Sequence, residues 1–311
     1  MSADAVFYIS HRWKIIVLIW YNKKNGGDFL KREYKKYFVA FMDILGYKNL
    51  VAEADKDKKT ALNTIDKLDH MIKKCIKGAM KQMKQYSTFD IEFILFSDSL
   101  CIFIPVDECE KGSRLDKYNG HSQTYVENNY LRLWLLCRLI ADIQLESLQF
   151  GIIYRGAISL GNHFHNKNII FSKALIDAYL AESTKAIYPR IIILDTPEND
   201  ILEFSSLVYE YFDLRVVADD DYLFVDYLGK VIEFHGLLGA NCDYIKWHKN
   251  IIENGIESYL NTENLLKKYV WMMNYHHTRL VSVFGKEICI RSELRNNVNQ
   301  KLGLHLIDYF L

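Results

Sequence analysis

The sequence predicts an α+β fold, and two observations lead to that class. Short apolar runs of strand length alternate with longer segments whose apolar residues recur at helical spacing. Half of the 311 residues are hydrophobic and 14% are aromatic, which supplies a large core and argues against extensive disorder. Lys+Arg and Asp+Glu balance at 39 each, so no bulk field attracts nucleic acid or an acidic membrane.

The first half of the chain carries its elements in the order β-α-β-β-α-β. An unbroken apolar run at 37–44 predicts a buried strand. A helix is predicted over 56–85, with an apolar stripe formed by Leu62, Ile65, Leu68, Met71, Ile72 and Ile76. The following elements are strands over 90–97 and 99–105, a polar loop over 106–124, a helix over 125–148 and a strand over 150–161. This order is the split βαβ, ferredoxin-like plan of palm-type nucleotide enzymes.

The later elements suggest an appended part. They are a helix over 172–186, a strand over 190–194, a helix near 199–211, a hairpin including 221–227, and helices near 241–258 and 262–281. We therefore predict an N-terminal extension over 1–30, a central domain over 31–198, and a mainly helical C-terminal α/β subdomain over 199–311 packed on it.

The cysteines and the N-terminus bear on location. Six scattered cysteines without CxxC pairs are typical of a cytosolic protein with reduced thiols. The apolar run at 15–21 is too short to span a bilayer, and no small-residue cleavage pattern follows it. We expect a cytoplasmic protein that binds no membrane.

Two aspartates at strand ends are the strongest chemical signal. Asp43 ends the strand at 37–44 just before Gly46, and Asp98 lies in the tight hairpin Ser97-Asp98-Ser99. An ionised carboxylate is costly to bury without a partner, and hard divalent cations prefer oxygen ligands. The pair predicts a two-carboxylate Mg²⁺ site, although aspartate is also common in turns and caps.

The motifs around these aspartates resemble those of class III nucleotide cyclases. Residues 41–47 resemble the first metal-binding strand of that family, and residues 97–99 resemble its second metal aspartate. Residues 154–161 are similar to its Arg-x-Gly-Ile-x-x-Gly strand, and residues 172–184 align without gaps on the following helix. The resemblance implies a ferredoxin-like cyclase palm as the catalytic domain.

The departures from that family point away from purines. The positions that hold its purine-reading polar pair fall at Ile94 and Ile169. Those of its ribose-binding Asn and transition-state Arg fall at Ile176 and Leu180. A site built to hydrogen-bond one base rejects another mainly by leaving polar groups unpaired, so this loss argues against an ordinary adenylate cyclase.

A bacterial group that includes the pyrimidine cyclases of the Pycsar antiphage system is more similar. Its shared set, DILG…SDS…RGAI…G…AYxxE, is found here from Asp43, Ser97, Arg155 and Ala178 onward. Residues 224–227 and 268–271 also resemble that group. The resemblance implies conversion of UTP or CTP to a 3′,5′-cyclic monophosphate, which acts on a separate cyclic-nucleotide-gated effector.

The resemblance also implies roles for individual residues. Asp43 and Asp98, with the Ile44 carbonyl, would hold two Mg²⁺ or Mn²⁺ ions, and Arg155 would be the third catalytic residue. Arg155 and Lys173 are the candidates to replace the missing transition-state Arg. Nucleotide contacts are expected from Ile44, Leu45, Gly46, Tyr47, Ser97, Lys173 and Tyr179, with the backbone N–H groups of 45–47 facing phosphate. A head-to-tail homodimer with sites at its interface is implied.

Other hypotheses stay open. A degenerate cyclase could bind nucleotide as a sensor without turnover, and a palm-type enzyme could join nucleotides, although a GGDEF-like hairpin is absent. Arg155 could pair with Glu182, and Tyr179 could belong to the core. The histidine pairs 163/165 and 276/277 favour packing over zinc, and the lysine-rich stretch 73–84 predicts a solvated helix face.

Overall fold

The computed structural model describes residues 34–79, 81, 89, 91–106, 114–115, 122–123, 125–166, 168–195, 216–219, 222–233 and 242–303. The expectations for residues 1–30, for most of the loop at 106–124 and for the helix near 199–211 lie outside these residues.

The described chain contains both strands and helices. The strands are β1 Lys35–Ile44, β2 Glu92–Phe96, β3 Ser99–Pro105, β4 Arg114–Leu115, β5 Ser122–Gln123, β6 Tyr154–His165, β7 Ile170–Ser172, β8 Ile191–Ile193, β9 Val216–Asp219 and β10 Tyr222–Val225. The α-helices are α1 Tyr47–Ala54, α2 Lys58–Met71, α3 Tyr125–Ser147, α4 Lys173–Thr184, α5 Gly229–Glu233, α6 Asp243–Tyr259, α7 Glu263–His276, α8 Ser282–Phe284 and α9 Ser292–Leu302. These elements confirm the α+β class.

One mixed sheet organises the molecule. Its strands pair in the order β2-β3-β1-β6-β8-β10-β9, with β7 added to β6, while β4 and β5 form a separate ribbon. Strand β1 is antiparallel to both β3 and β6, and β6 is parallel to β8. The predicted hairpin near 221–227 is confirmed as β9–β10, which pairs with β8 and continues the sheet of the central domain.

Helices pack on both faces of this sheet. Phe38, Ala40 and Met42 alternate along β1 and are fully buried, as expected for a strand beneath helices. On that side, the Tyr154 hydroxyl donates to Met71 Sδ at 3.3 Å and ties β6 to the end of α2. On the other side, Ser159 Oγ donates to the Ala174 carbonyl at 2.6 Å and ties β6 to α4.

The helix predicted over 56–85 is confirmed as α2, which a π-helical turn at Ile72–Lys77 continues. It begins at Lys58, because Asp57 caps it by accepting the Thr60 N–H at 2.9 Å, and α1 precedes the predicted range. The predicted stripe holds only in part: Met71 and Ile76 are buried, but Leu62 and Ile65 are 51% and 59% exposed.

Two further boundaries concern the functional part of the chain. The strand predicted over 150–161 is displaced and forms β6 at Tyr154–His165, after a turn that ends at Gly151 with φ 67°. The helices predicted near 241–258 and 262–281 are confirmed as α6 and α7, the latter continued by a π-helical turn at His277–Val281. Among the described residues, helices that combine the length and apolar character needed to cross a membrane are absent.

Candidate functional site

Asp43 and Asp98 lie next to each other at the carboxyl end of β1. The pairing of β1 with β3 places Asp43 opposite Ser99, the residue after Asp98. The Ile44 N–H donates to the Asp98 carbonyl at 3.0 Å. Ser99 Oγ donates to Asp43 Oδ1 at 3.1 Å, a contact that the motif comparison missed. The predicted juxtaposition of the two aspartates is therefore present in the fold.

Two tight turns shape this edge of the sheet. Ser97 adopts a φ of 52°, a left-handed conformation suited to the two-residue hairpin that carries Asp98. Gly46 has a φ of 82° where β1 passes into α1, and glycine adopts that conformation without the steric cost of a Cβ. Both turns direct the chain back toward the same edge.

Of the three backbone amides predicted to face phosphate, those of residues 45–47, one already has a carbonyl partner. The Leu45 N–H donates to the Ile153 carbonyl at 2.9 Å, so the expectation that it faces phosphate is wrong. In the part of the chain that the structure describes, the N–H groups of Gly46 and Tyr47 donate to no backbone carbonyl. These two amides at a helix N-terminus retain the capacity to bind an anion.

The electrostatics of Asp43 are unusual for a strand residue. Burial, the Asp98 carboxylate and the Glu182 carboxylate raise the pKa of Asp43 to about 6, while the Ser99 hydrogen bond and Arg155 oppose the shift. Like charges held close together disfavour ionisation. A divalent cation between the carboxylates would remove that repulsion, so the residues present fit a metal of the Mg²⁺ type.

Arg155 lies on β6 directly opposite Asp43. Its guanidinium forms an ion pair with Glu182 on α4, and the two side chains are 23% and 6% exposed. The alternative that Arg155 pairs with Glu182 is therefore confirmed. In the motif comparison, Glu182 was only the last residue of the shared set. In the fold, its carboxylate pairs with Arg155 and helps to raise the pKa of Asp43.

Gly156 beside Arg155 is required by close packing. A Cβ at this position would lie 2.1 Å from the Phe41 carbonyl oxygen. Only glycine allows β6 to approach β1 this closely, and that approach sets Arg155 against Asp43.

The remaining predicted nucleotide contacts are spread around this edge. Lys173 begins α4, is exposed, and binds the Asp177 carboxylate at 2.8 and 3.0 Å. Tyr179 packs edge-on against Phe41 with ring centroids 5.4 Å apart, which confirms its assignment to the core. Ser97 is exposed on its turn, and Tyr47 is half-buried against the core.

The positions that depart from purine cyclases have contrasting environments. Ile94 is buried at 5% exposure, whereas Ile169, Ile176 and Leu180 are 54%, 54% and 48% exposed. Three large aliphatic side chains therefore project from the segment that runs from β7 along α4. They offer a ligand or partner apolar surface and no hydrogen bonds.

The other candidate metal ligands have structural surroundings. His163 Nε2 and His165 Nδ1 are 2.7 Å apart, and His165 Nε2 is 2.8 Å from Glu92 Oε2, so these groups form a linear chain. His276 is fully buried, and packing accounts for it. Within the described ranges, groups of three His, Cys, Asp or Glu side chains arranged to hold a metal ion are absent.

The lysine-rich stretch has the predicted solvated face. Lys73, Lys74, Lys77 and Lys81 are exposed, while Cys75 and Ile76 between them are buried.

Comparison of the sequence with protein-family models found no matching family, and comparison with curated proteins found no match.

Proposed function

We propose that this chain is a metal-dependent nucleotide cyclase of the class III type. It converts UTP or CTP to the 3′,5′-cyclic monophosphate and pyrophosphate, as a second messenger in antiphage defence. The observation that carries the proposal is the convergence of Asp43, Asp98 and the Arg155–Glu182 pair at one edge of the sheet. The two aspartates have environments that favour a bound cation.

The topology supports a ferredoxin-like palm as the catalytic domain. Strands β2, β3, β1 and β6 are neighbours in that order and pair antiparallel, with helices connecting β1 to β2 and β3 to β6. This is the arrangement expected of a split βαβ unit. It places the ends of β1 and of the β2–β3 hairpin side by side, where palm enzymes carry their carboxylates.

The proposed reaction is an intramolecular phosphoryl transfer. The ribose 3′-oxygen forms a bond to the α-phosphorus, the bond from that phosphorus to the β-phosphate oxygen breaks, and pyrophosphate leaves with the electron pair. The 3′-hydroxyl proton passes to solvent. Asp43, Asp98 and the Ile44 carbonyl would hold the metal. When bound there, Mg²⁺ or Mn²⁺ would lower the pKa of the 3′-hydroxyl and neutralise phosphate charge.

The chain's other groups would position the substrate. The N–H groups of Gly46 and Tyr47 are suited to phosphate oxygens, and Ser99 orients the Asp43 carboxylate through its hydrogen bond. Arg155 offers a cation beside Asp43, although Glu182 already shares its charge. Positioning and charge neutralisation account for most of the catalysis in this reaction class.

The aliphatic side chains at the base-reading positions support a pyrimidine substrate. Ile94 is buried and Ile169 is apolar, so neither supplies the polar group that reads a purine edge. Exposed Ile169, Ile176 and Leu180, with Phe171 at 64% exposure, also support a homodimer, because a second copy would cover them. The product would act in the cytoplasm on a separate cyclic-nucleotide-gated effector.

A nucleotide-binding sensor without turnover is the second candidate. It is favoured by the aliphatic Ile176 and Leu180 at the ribose and transition-state positions, and by the engagement of Arg155 with Glu182. Such a protein would bind the same metal and triphosphate but release no cyclic product.

Turnover decides between these functions. The protein is incubated with each of the four ribonucleoside triphosphates and Mg²⁺ or Mn²⁺, and the products are identified by mass. We expect a cyclic pyrimidine monophosphate whose formation falls by at least about 1,000-fold in Asp43→Ala and Asp98→Ala. Asp55→Ala, which alters an exposed aspartate after α1, is the matched control and should retain activity.

The other possible products distinguish between the alternative functions. A cyclic purine product would contradict the pyrimidine assignment, and a cyclic oligonucleotide would favour the ligating palm enzyme. Nucleotide binding without any product would favour the sensor.

A further inference from the structure

Arg155 pairs with Glu182 although an aspartate of the candidate site lies directly opposite it in the sheet. Asp43 on β1 is the cross-strand partner of Arg155 on β6, and such neighbours of opposite charge stabilise a sheet by pairing. The guanidinium instead pairs with Glu182, and among the described residues it forms no ion pair with Asp43 within 4.0 Å. Of the charged groups that act on Asp43, Arg155 has the weakest effect. The fold therefore holds the guanidinium away from its cross-strand carboxylate.

Helix α4 places Glu182 where it competes for this guanidinium. Residues four apart share a helix face, so Ala174, Ala178 and Glu182 form one buried row along α4. The small alanines let the helix lie close to β6, where a Cβ at Gly161 would be 3.4 Å from the Ala174 nitrogen. Glu182 ends this row at 4% exposure, and so deeply buried a carboxylate needs the Arg155 cation.

The two carboxylates differ in what else can neutralise them. Asp43 accepts the Ser99 hydroxyl and lies beside Asp98, at an edge where a divalent cation can bind. A guanidinium paired with Asp43 would occupy the carboxylate oxygens that such a cation needs. Without Glu182, the largely buried Arg155 would turn to Asp43, because a buried cation without a partner is costly.

We propose that Glu182 is a positioning residue of the metal site: by holding Arg155, it keeps the Asp43 carboxylate open to a divalent cation. The inference rests on the proposed function and deepens it, because it assigns a role in metal binding to a side chain that does not ligate the metal. Glu182 also acts on Asp43 directly, as a second negative charge. That direct effect is independent of Arg155, whereas the proposed role of Glu182 requires Arg155.

Binding of Mn²⁺ alone to the full chain tests this role without nucleotide or turnover, with the free ion followed by electron paramagnetic resonance. Glu182→Gln should weaken binding about ten-fold, because Arg155 then pairs with Asp43. Combined with Arg155→Met, the same substitution should leave the affinity within about three-fold of that of Arg155→Met alone. Glu253→Gln is the matched control: it removes another buried glutamate that pairs with an arginine, Arg291 at 3.1 Å, and should bind Mn²⁺ normally.

A second measurement needs no metal. In EDTA, Asp43→Asn should raise the unfolding midpoint of the unmodified protein, because it removes a carboxylate that its neighbours repel. In the Glu182→Gln background it should lower the midpoint, because it then breaks the pair between Asp43 and Arg155. A change of the same sign in both backgrounds overturns the inference.

The outcomes separate this inference from the proposed function. Normal Mn²⁺ affinity in Glu182→Gln, an equal loss in Glu253→Gln, or an equal loss from Glu182→Gln with and without Arg155 overturns the inference alone. The expected pattern without cyclisation of any nucleotide supports the inference and rejects the cyclase, whereas no Mn²⁺ binding by the unmodified protein rejects both. Matched circular dichroism spectra verify the fold of each variant. If Glu182→Gln alone does not fold, weaker binding by the double variant than by Arg155→Met still overturns the inference.

Discussion

Asp226, beside the C-terminal helices, and Asp43, at the candidate site, are both withdrawn from solvent, Asp226 fully and Asp43 in part, and their hydrogen-bonding capacity is satisfied differently. Asp226 accepts hydrogen bonds from the Tyr275 hydroxyl and the Gly229 N–H and pairs with Arg279. For Asp43, the described residues supply the Ser99 hydroxyl at 3.1 Å, while Asp98 and Glu182 repel it. A carboxylate with a full set of partners stabilises the fold in its ionised form, whereas one held beside like charges is destabilised by its own ionisation.

The histidines of the C-terminal helices extend this contrast. His276 Nε2–H donates to the Ile288 carbonyl at 2.9 Å, so His276 Nδ1 accepts from His248 Nδ1–H at 3.0 Å. The Tyr227 hydroxyl then donates to His248 Nε2 at 2.8 Å. Burial favours the neutral form of both rings, and with both rings neutral the chain has this one arrangement of hydrogens.

Acid should therefore destabilise the protein through the protonation of His248 and His276, and this is the largest effect on the free energy of unfolding that we expect. Burial lowers the pKa of His276 to about 4 and that of His248 well below its ordinary value. In the unfolded chain both rings bind protons near pH 6.5, so the stability they confer is complete above that pH and falls toward pH 4. The two rings together cost about 3 kcal/mol per pH unit in this window, measurable by urea unfolding between pH 7.5 and 4.5.

His276→Gln provides the control for this pH dependence. The variant removes one titrating ring, so the slope of its free energy of unfolding below pH 6.5 should be smaller by about 1.4 kcal/mol per pH unit. A slope equal to that of the unmodified protein would show that other groups cause the acid sensitivity.

Substitution of Asp226 should lower the free energy of unfolding less than acid does, and more than substitution of an exposed residue. Asp226→Ala strands the Gly229 N–H, the Tyr275 hydroxyl and the Arg279 guanidinium. We expect a loss of about 3 kcal/mol in the free energy of unfolding at pH 7. Glu53→Ala, which breaks an exposed pair with Lys56, should change stability by less than about 0.5 kcal/mol. Similar losses in the two variants would mean that the Asp226 network is not structural.

The sequence predicted the parts of the site that local patterns specify. The apolar run of β1 and the Ser97-Asp98-Ser99 turn identify two strand ends, and pairing of β1 with β3 follows from the order of elements. The sequence left the Arg155–Glu182 pair as an open alternative, because that contact depends on how α4 packs across β6 and no local pattern decides it.

The errors have a similar origin. The helix predicted from residue 56 begins instead at Lys58, because the Asp57 side chain caps it there. The Leu45 amide binds Ile153 because β6 begins later than predicted, at Tyr154. Strand ends and capping contacts are set by neighbouring elements, so hydrophobic periodicity alone does not locate them.

Asp43 should respond to substitution in the opposite direction to Asp226, with the smallest effect. Its pKa is raised in the folded protein to about 6, so the ionised carboxylate destabilises the fold above that pH. Asp43→Asn keeps the shape and removes the charge. Discounted for partial exposure, the gain in the free energy of unfolding should be about 1 to 2 kcal/mol at pH 7 in EDTA.

The pH and metal dependence of that gain make the prediction specific. The unmodified protein becomes more stable relative to Asp43→Asn as the pH falls from 6 toward 4, because protonation removes the same charge that the variant lacks. The gain should therefore vanish near pH 4. At pH 7, Mg²⁺ should raise the unfolding midpoint of the unmodified protein and leave that of Asp43→Asn nearly unchanged. A loss of stability in Asp43→Asn that Mg²⁺ does not affect would place Asp43 with Asp226, as a structural carboxylate.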